Sequence, residues 1–154
     1  MNDVPTPIED PVLGRLSWER VYGRWTWTFS VPLTDGNAAR AYTLPAAAWN
    51  PLNGESLPRI RSLGEWLAGN EPSLRAHIAA EICAEWRADY WDPDTDGAAT
   101  PARLAARLRL IEITFVSDGL GYLWYDFGSA HGLGQIRLGL DATGAVVIKP
   151  SRPW

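Results

Sequence analysis

The chain of 154 residues is 46% hydrophobic and 21% charged, which is typical of one folded domain with enough apolar residues for a core. Its 14 basic and 18 acidic residues give a net charge of −4, which argues against non-specific nucleic-acid binding because lysine and arginine must neutralise phosphates. No apolar run approaches the roughly 20 residues that cross a bilayer, no secretion signal is visible, and the lone Cys83 cannot form an internal disulfide. We therefore expect a cytoplasmic protein with neither a nucleic-acid nor a membrane partner.

Tryptophan is the unusual component, with nine residues in the chain. Each has a large apolar body and one N–H donor that needs a partner when buried. A domain of this size can hardly bury all nine, and exposed tryptophan is enriched where proteins bind each other. The composition therefore favours a binding protein.

The first part of the chain predicts three strands. Residues 1–11 contain three prolines and no periodicity, so we expect a loose N-terminal arm. Strands are predicted over 12–18, 22–31 and 39–44, and a hairpin connection around Glu19-Arg20-Val21 joins the first two.

The second of these strands has the strictest pattern. Large apolar residues alternate with hydroxyl residues: Trp25, Trp27, Phe29 and Val31 with Thr26, Thr28 and Ser30. Period two is the side-chain period of a strand, so one face is predicted to be buried and aromatic and the other polar.

Three helices are predicted next. The first spans 59–67 and ends at Gly69-Asn70, and the second spans 71–91 with Pro72 in its first turn. A short third helix over 101–107 begins at Thr100-Pro101. The second helix has an apolar residue every four positions: Leu74, Ile78, Ile82, Trp86 and Tyr90.

The remainder of the chain predicts four strands, over 108–116, 122–127, 135–140 and 145–148. Because strands and helices are segregated in the order βββ-ααα-ββββ, the fold class is predicted as α+β. We expect a single domain over 12–150, with a tail over 151–154, in which a largely antiparallel sheet of about seven strands packs against the long central helix. The predicted core comprises Trp25, Trp27, Phe29, Ile78, Ile82, Ile111, Ile113 and Phe115.

An acidic-aromatic segment spans 81–96, where six acidic residues accompany one arginine and three aromatic residues. Aromatic anchors surrounded by carboxylates suit a basic protein surface, although a solvated helix face explains the same charges. The predicted partner-binding residues are Glu81, Glu85, Trp86, Asp89, Tyr90, Trp91, Asp92, Asp94 and Asp96.

The loop over 92–97 also resembles the start of an EF-hand calcium site, because Asp92, Asp94 and Asp96 alternate ahead of a glycine. The twelfth position, which requires a bidentate glutamate, is Arg103. A calcium-responsive module is therefore an alternative to a plain acidic connection between helices. His77 and Glu81 have the four-residue spacing of two metal ligands, but no third ligand is evident, so we expect no metal site.

Asp126, Ser129 and His131 suggest a hydrolase triad. The stretch lacks the G-x-S-x-G nucleophile elbow, and its glycines at 128, 132 and 134 explain a tight connection between strands. A small hydrolase-like enzyme is thus the alternative function, whereas the leading interpretation is a protein that is not an enzyme, with no catalytic residues and no cofactor.

Three features resemble a known group of proteins: Asp-Pro-Val-Leu-Gly-Arg-Leu-Ser-Trp at 10–18, the tryptophan-rich strand at 22–31, and His-Gly-Leu-Gly at 131–134 before the last hairpin. The layout is similar to that of small bacterial domains of unknown function found among the immunity proteins of polymorphic-toxin systems. The resemblance implies a cytoplasmic protein that neutralises a cognate toxin by binding it, and it implies no catalytic residues. We therefore expect an immunity-type protein that occludes a basic toxin, such as a nuclease, through the acidic-aromatic segment.

Overall fold

The computed structural model describes residues 6–34, 36–43, 56–89, 100–116, 120–126 and 135–151, with the side chains of the long helix described from Leu57 to Ala84. In chain order the elements are β1 Ile8–Asp10, β2 Gly14–Val21, β3 Arg24–Pro32, β4 Ala38–Thr43, α1 Ser56–Asp89, α2 Pro101–Arg107, β5 Arg109–Phe115, β6 Gly121–Asp126, β7 Gln135–Leu140 and β8 Val146–Ser151. The predicted α+β class is confirmed, and the order within the described residues is ββββ-αα-ββββ.

The eight strands form one sheet in which they follow each other in chain order from β1 to β8. Neighbouring strands are antiparallel, as predicted, except that β4 and β5 are parallel. Parallel neighbours require a crossover, and α1 and α2 lie on the connection between these two strands. The helical middle of the chain therefore joins two antiparallel halves of one sheet.

Several strand boundaries differ from the prediction. The strand beyond the expected seven is β1, which lies inside the stretch that the sequence assigned to an arm. The connection predicted around Glu19-Arg20-Val21 belongs to β2 instead, and the hairpin turns at Tyr22-Gly23. Both turn residues have a positive φ, 48° and 79°, which is the form of a two-residue type I′ turn.

The first two helices predicted from the sequence, over 59–67 and 71–91, are one helix, because Pro72 lies inside α1 rather than at the start of a second helix. Proline has no N–H, so it cannot donate to the carbonyl of Ala68 one turn earlier. That carbonyl accepts a hydrogen bond from the Thr34 hydroxyl instead. Asn70, predicted to end a helix, donates its side-chain amide to the carbonyl of Trp66 at 2.8 Å. Side chains thus satisfy two carbonyls near the proline.

The core lies between α1 and one face of the sheet. Six of the predicted core residues are buried: Trp27, Phe29, Ile78, Ile82, Ile113 and Phe115. The rings of Phe29 and Phe115 stack with centroids 5.6 Å apart. Ile111 is only half-buried. The prediction for Trp25 was wrong, since 49% of it is exposed: it pairs with Arg20 beside the hairpin turn, and the described β3–β4 pairing begins only at Thr28.

Two buried carboxylates fix α1 on the sheet. Asp10 accepts hydrogen bonds from the backbone N–H of Val12 and of Leu13, both at 2.9 Å, and from Arg61 Nε at 2.9 Å. Glu71 accepts a hydrogen bond of 2.9 Å from the hydroxyl of Tyr125 on β6. These contacts hold the helix against one face of the sheet, and the other face points away from α1.

Candidate functional site

The face of the sheet that points away from α1 carries an aromatic and charged row. Paired residues of neighbouring strands point to the same side, so the register Tyr42↔Thr114, Glu112↔Trp124 and Trp124↔Arg137 places these side chains together. The alternate positions point into the core and are buried: Ala41, Ile113, Leu123 and Leu138. We call the side away from α1 the outer face.

A cavity of about 190 Å³ lies on the outer face. Three rings and one carboxylate dominate its walls, and the lining residues are Tyr22, Tyr42, Ile111, Glu112, Trp124 and Gln135. They come from the β2–β3 turn and from β4, β5, β6 and β7, so the sheet register assembles the cavity from distant parts of the chain. We call it the aromatic pocket.

Tyr22 is the most unusual residue of the aromatic pocket. Among the described residues it is the one non-glycine residue with a positive φ, and 78% of it is exposed. Its ring contacts that of Tyr42 edge to face, with centroids 6.0 Å apart, and its hydroxyl donates a hydrogen bond of 3.1 Å to Glu112 Oε2. A type I′ turn favours Asn-Gly at these two positions. Tyr22 departs from this preference, so the backbone of an exposed residue is strained at the turn.

The tyrosines of the aromatic pocket are neutral, so Glu112 is the charged residue in its lining, and the positive charge of nearby Arg40 also acts on both tyrosines. Partial desolvation of its hydroxyl, followed by the negative charge of Glu112, raises the pKa of Tyr22 above its ordinary value. Burial also raises the pKa of Tyr42. Arg40 is the register partner of Glu112 on β4, but within the described residues no salt bridge joins the two. The pocket therefore combines electron-rich ring faces with one carboxylate.

The side chain of Arg137 occupies the neighbouring part of the outer face. The guanidinium of Arg137 lies over the ring of Tyr122 at 5.4 Å and over the ring of Trp124 at 5.6 Å. Both distances are within the range of about 6 Å in which a cation is attracted to the face of an aromatic ring. Trp124 thus belongs both to the aromatic pocket and to an internal arginine–aromatic contact.

Two further cavities are present in the described part of the chain. A groove of about 680 Å³ runs along β2, β3 and β4, where Arg15, Glu19 and Arg40 line it. It extends the outer face beyond the aromatic pocket and enlarges the surface that a partner could cover. A cavity of about 300 Å³ lies beside α1 instead, next to the ion pair in which Arg75 Nε is 3.0 Å from Glu71 Oε1.

The predicted acidic-aromatic segment lies largely outside the described side chains. Glu81 is on α1, and its carboxylate is 40% exposed and 3.1 Å from Nε2 of His77. Three predicted residues belong to α1, but their side chains lie outside the described part: Glu85, Trp86 and Asp89. The others lie outside the described residues altogether: Tyr90, Trp91, Asp92, Asp94 and Asp96. The segment therefore stays a prediction.

The alternative sites have a similar status. Asp126 ends β6 opposite Gln135, but Ser129 and His131 lie outside the described residues, as does the loop over 92–97 proposed for calcium. Within the described ranges, no group of three or more histidine, cysteine, aspartate or glutamate residues is placed to hold a metal ion. His77 and Glu81 form an i,i+4 pair on the surface of α1.

Sequence reasoning missed the aromatic pocket, although weak signals were present. Tyr22-Gly23 has the glycine of a tight turn, and Glu112 and Trp124 alternate with apolar residues in their strands. The pattern of each strand predicts a polar or aromatic outer face. It does not predict that β4 pairs with β5. This parallel pairing brings Tyr42 close to Glu112 and Trp124.

Comparison with known proteins gives no match to a family model, to a curated protein or to a solved structure. The resemblance to immunity proteins therefore stays a prediction. Among the described helices, none is both long and apolar enough to span a membrane.

Proposed function

We propose that this protein is an immunity-type binding protein of the cytoplasm that covers and thereby neutralises a cognate protein toxin. The observation that carries the proposal is Tyr22, which is held at a positive φ, is 78% exposed, and is tied to Glu112 at the edge of the aromatic pocket. An exposed aromatic residue beside a cavity is the kind of anchor that dominates protein–protein binding energy.

Charge supports a basic toxin as the partner. The chain carries a net charge of −4, and the segment over 81–96 contributes six acidic residues against one arginine. In the described structure, Glu112 adds a carboxylate to the aromatic pocket and Glu81 adds an exposed one on α1. Complementary charge steers association and selects between partners. A basic enzyme such as a nuclease fits this balance.

The lining of the aromatic pocket favours binding over catalysis. Its six residues supply ring faces, a carboxylate and an amide, and they include no serine, cysteine or histidine that could act as a nucleophile or proton shuttle at neutral pH. The tyrosine hydroxyls do not ionise near pH 7, since the ordinary tyrosine pKa of 10.0 already lies well above it and the pKa of each is raised further. These side chains suit recognition of a surface.

The proposal is tested by co-expression with toxins encoded next to this gene in its own genome. We expect one toxin whose growth inhibition disappears on co-expression, and which co-purifies with the tagged protein at a stoichiometric ratio. A toxin that still arrests growth, or one neutralised without forming a complex, would contradict the proposal.

Two sets of variants then separate the candidate surfaces. The pair Tyr22→Asn and Glu112→Gln alters the aromatic pocket, whereas the combined change of Asp89, Asp92, Asp94 and Asp96 to asparagine alters the acidic-aromatic segment. We expect each set to weaken the complex, and Glu65→Gln, an exposed carboxylate on α1, to leave it unchanged. Unaltered affinity in the asparagine set would exclude the acidic-aromatic segment from the interface.

A further inference from the structure

We infer that the aromatic pocket receives an arginine side chain of the partner, an inference that rests on the proposed function for the source of that arginine. The walls of the pocket are the rings of Tyr22, Tyr42 and Trp124 and the carboxylate of Glu112 around about 190 Å³. Ring faces carry the negative part of the aromatic quadrupole and attract cations. Several rings beside one carboxylate therefore form a site for an organic cation.

Neutral tyrosines keep the aromatic pocket suitable for one positive charge. Both phenols are protonated at neutral pH, and Tyr22 donates a hydrogen bond to Glu112. The bond occupies Oε2 and orients the carboxylate, while Oε1 makes no hydrogen bond or ion pair within the described structure and can accept one. A charged N–H donor on the ligand would supply a hydrogen bond to Oε1 of Glu112.

The neighbouring contact of Arg137 favours a guanidinium over an ammonium. Its planar cation already lies over Tyr122 and Trp124, at 5.4 Å and 5.6 Å from the ring centroids. A guanidinium stacks on rings and is more weakly hydrated than an ammonium, so it loses less on leaving water for an aromatic site. Tyr22 lines the aromatic pocket, is exposed, and has a strained backbone. A ring that covers an inserted arginine would explain why tyrosine occupies this turn position.

The first test uses N-butylguanidinium as a probe for the arginine side chain, with n-butylammonium and the uncharged n-pentanol as comparisons at constant ionic strength. Binding is followed by the tryptophan indole N–H signals in ¹H–¹⁵N spectra, with Trp124 assigned through Trp124→Phe. We expect a saturable shift of the Trp124 signal with N-butylguanidinium, weaker binding of n-butylammonium, and no saturable shift with n-pentanol. Equal or tighter binding of n-butylammonium, or no saturation with any probe, would overturn the inference.

Three variants test whether N-butylguanidinium binds in the aromatic pocket. Glu112→Gln removes the charge and keeps the size of the side chain, and we expect about tenfold weaker binding of N-butylguanidinium. Tyr22→Leu removes one ring at an exposed position and is expected to act in the same direction, so it tests the site independently if Glu112→Gln disturbs the fold. Glu65→Gln removes the same charge elsewhere and is expected to bind the probe like the wild type. Unchanged binding in Glu112→Gln and Tyr22→Leu would place the cation elsewhere and overturn the assignment.

The partner experiment separates this inference from the proposed function. If a toxin is neutralised and Glu112→Gln and Tyr22→Leu leave its affinity unchanged, the proposed function stands and the arginine site is wrong. If N-butylguanidinium binds as expected but no toxin is neutralised, the proposed function fails, while the chemistry assigned to the aromatic pocket is supported.

Discussion

Tyr22 and Glu112 are 90 residues apart in the sequence, yet the phenol of one donates a hydrogen bond of 3.1 Å to the carboxylate of the other. The bond runs from the β2–β3 turn to β5, and it ties the hairpin to the middle of the sheet on the outer face. Tyr22 has a positive φ in a turn whose backbone favours Asn-Gly, so tyrosine is unfavourable at this position. Keeping an exposed aromatic ring there therefore lowers the stability of the fold.

We predict that Tyr22→Asn raises the free energy of unfolding by about 0.5 kcal/mol, because asparagine adopts a positive φ more readily and the lost hydrogen bond is exposed. The same variant should weaken binding of the toxin and of N-butylguanidinium. Urea unfolding at about pH 7 measures the first effect. Tyr22→Leu is the matched control, since it keeps the unfavourable φ, and a Tyr22→Asn protein less stable than Tyr22→Leu would contradict the explanation.

A second prediction concerns the ion pair between the buried Asp10 and Arg61, whose side chain is 34% exposed. Asp10→Ala should lower the free energy of unfolding by about 2–4 kcal/mol, because it leaves the N–H groups of Val12 and Leu13 and the guanidinium of Arg61 without their acceptor. Glu9→Ala, an exposed neighbour, should change it by less than about 0.5 kcal/mol. Urea unfolding of the three proteins measures both values.

The same pair predicts a dependence on pH. The hydrogen bond from Arg61, with those from Leu13 and Val12, holds the pKa of Asp10 below its ordinary value of 3.8. A lowered pKa in the folded state means that the contribution of Asp10 is complete above that ordinary value and is lost as the pH falls through the folded value. The difference between wild type and Asp10→Ala should therefore shrink between about pH 7 and about pH 3. A constant difference would show that the charge of Asp10 is not involved.

Local signals in the sequence identified most elements but could not locate the helix boundaries. The strand patterns around Trp27 and Ile113 depend on neighbours two residues away, and both strands were found. Pro72 predicts a helix start because proline is common in the first turn of a helix. In the structure the carbonyl of Ala68, which Pro72 leaves without an N–H donor, accepts a hydrogen bond from Thr34, a residue far away in the sequence. That contact is tertiary, so it cannot be predicted from the periodicity of the sequence.

The aromatic pocket was unpredictable for a related reason. The alternation of Glu112 and Trp124 with apolar residues predicts which face of a strand each occupies, but not which strands are neighbours. Joining β4 to β5 across the helical region brings Tyr42 beside this pair, and the turn at Tyr22 then folds back over it. The sequence contains each member of the pocket, and the topology of the sheet assembles them.

A third prediction uses two glycines that share a positive φ, 86° at Gly144 and 83° at Gly36. A Cβ at Gly36 would meet nothing within 4 Å, whereas one at Gly144 would overlap the indole of Trp66. Gly36→Ala should thus cost about 1–2 kcal/mol for the backbone alone, and Gly144→Ala about 1–3 kcal/mol more for the overlap. Thermal or urea unfolding of both variants measures the difference. Equal losses would mean that Trp66 moves aside freely.

A fourth prediction concerns Tyr125, whose hydroxyl donates to the buried Glu71 at 2.9 Å. Tyr125→Phe should lower the free energy of unfolding by about 2 kcal/mol at about pH 8, because a buried carboxylate loses a hydrogen bond. Burial, and then the negative charge of Glu71, raise the pKa of Tyr125 above its ordinary value of 10.0. A raised pKa in the folded state means that the stabilisation is complete below that ordinary value and is lost as the pH rises above it.

The wild type should therefore lose more stability than Tyr125→Phe between about pH 8 and about pH 11, as measured by urea unfolding. Tyr22 and Tyr42 also have raised pKa values, but they are present in both proteins, so the difference between the two pH profiles isolates Tyr125.

Glu71→Gln in the same experiment should remove the part of this pH dependence that comes from the carboxylate and retain the part that comes from burial of the Tyr125 hydroxyl. Parallel pH profiles for wild type and Tyr125→Phe would mean that the Tyr125 hydroxyl keeps an ordinary pKa in the folded protein, and the buried link between α1 and β6 would then be weaker than its geometry indicates.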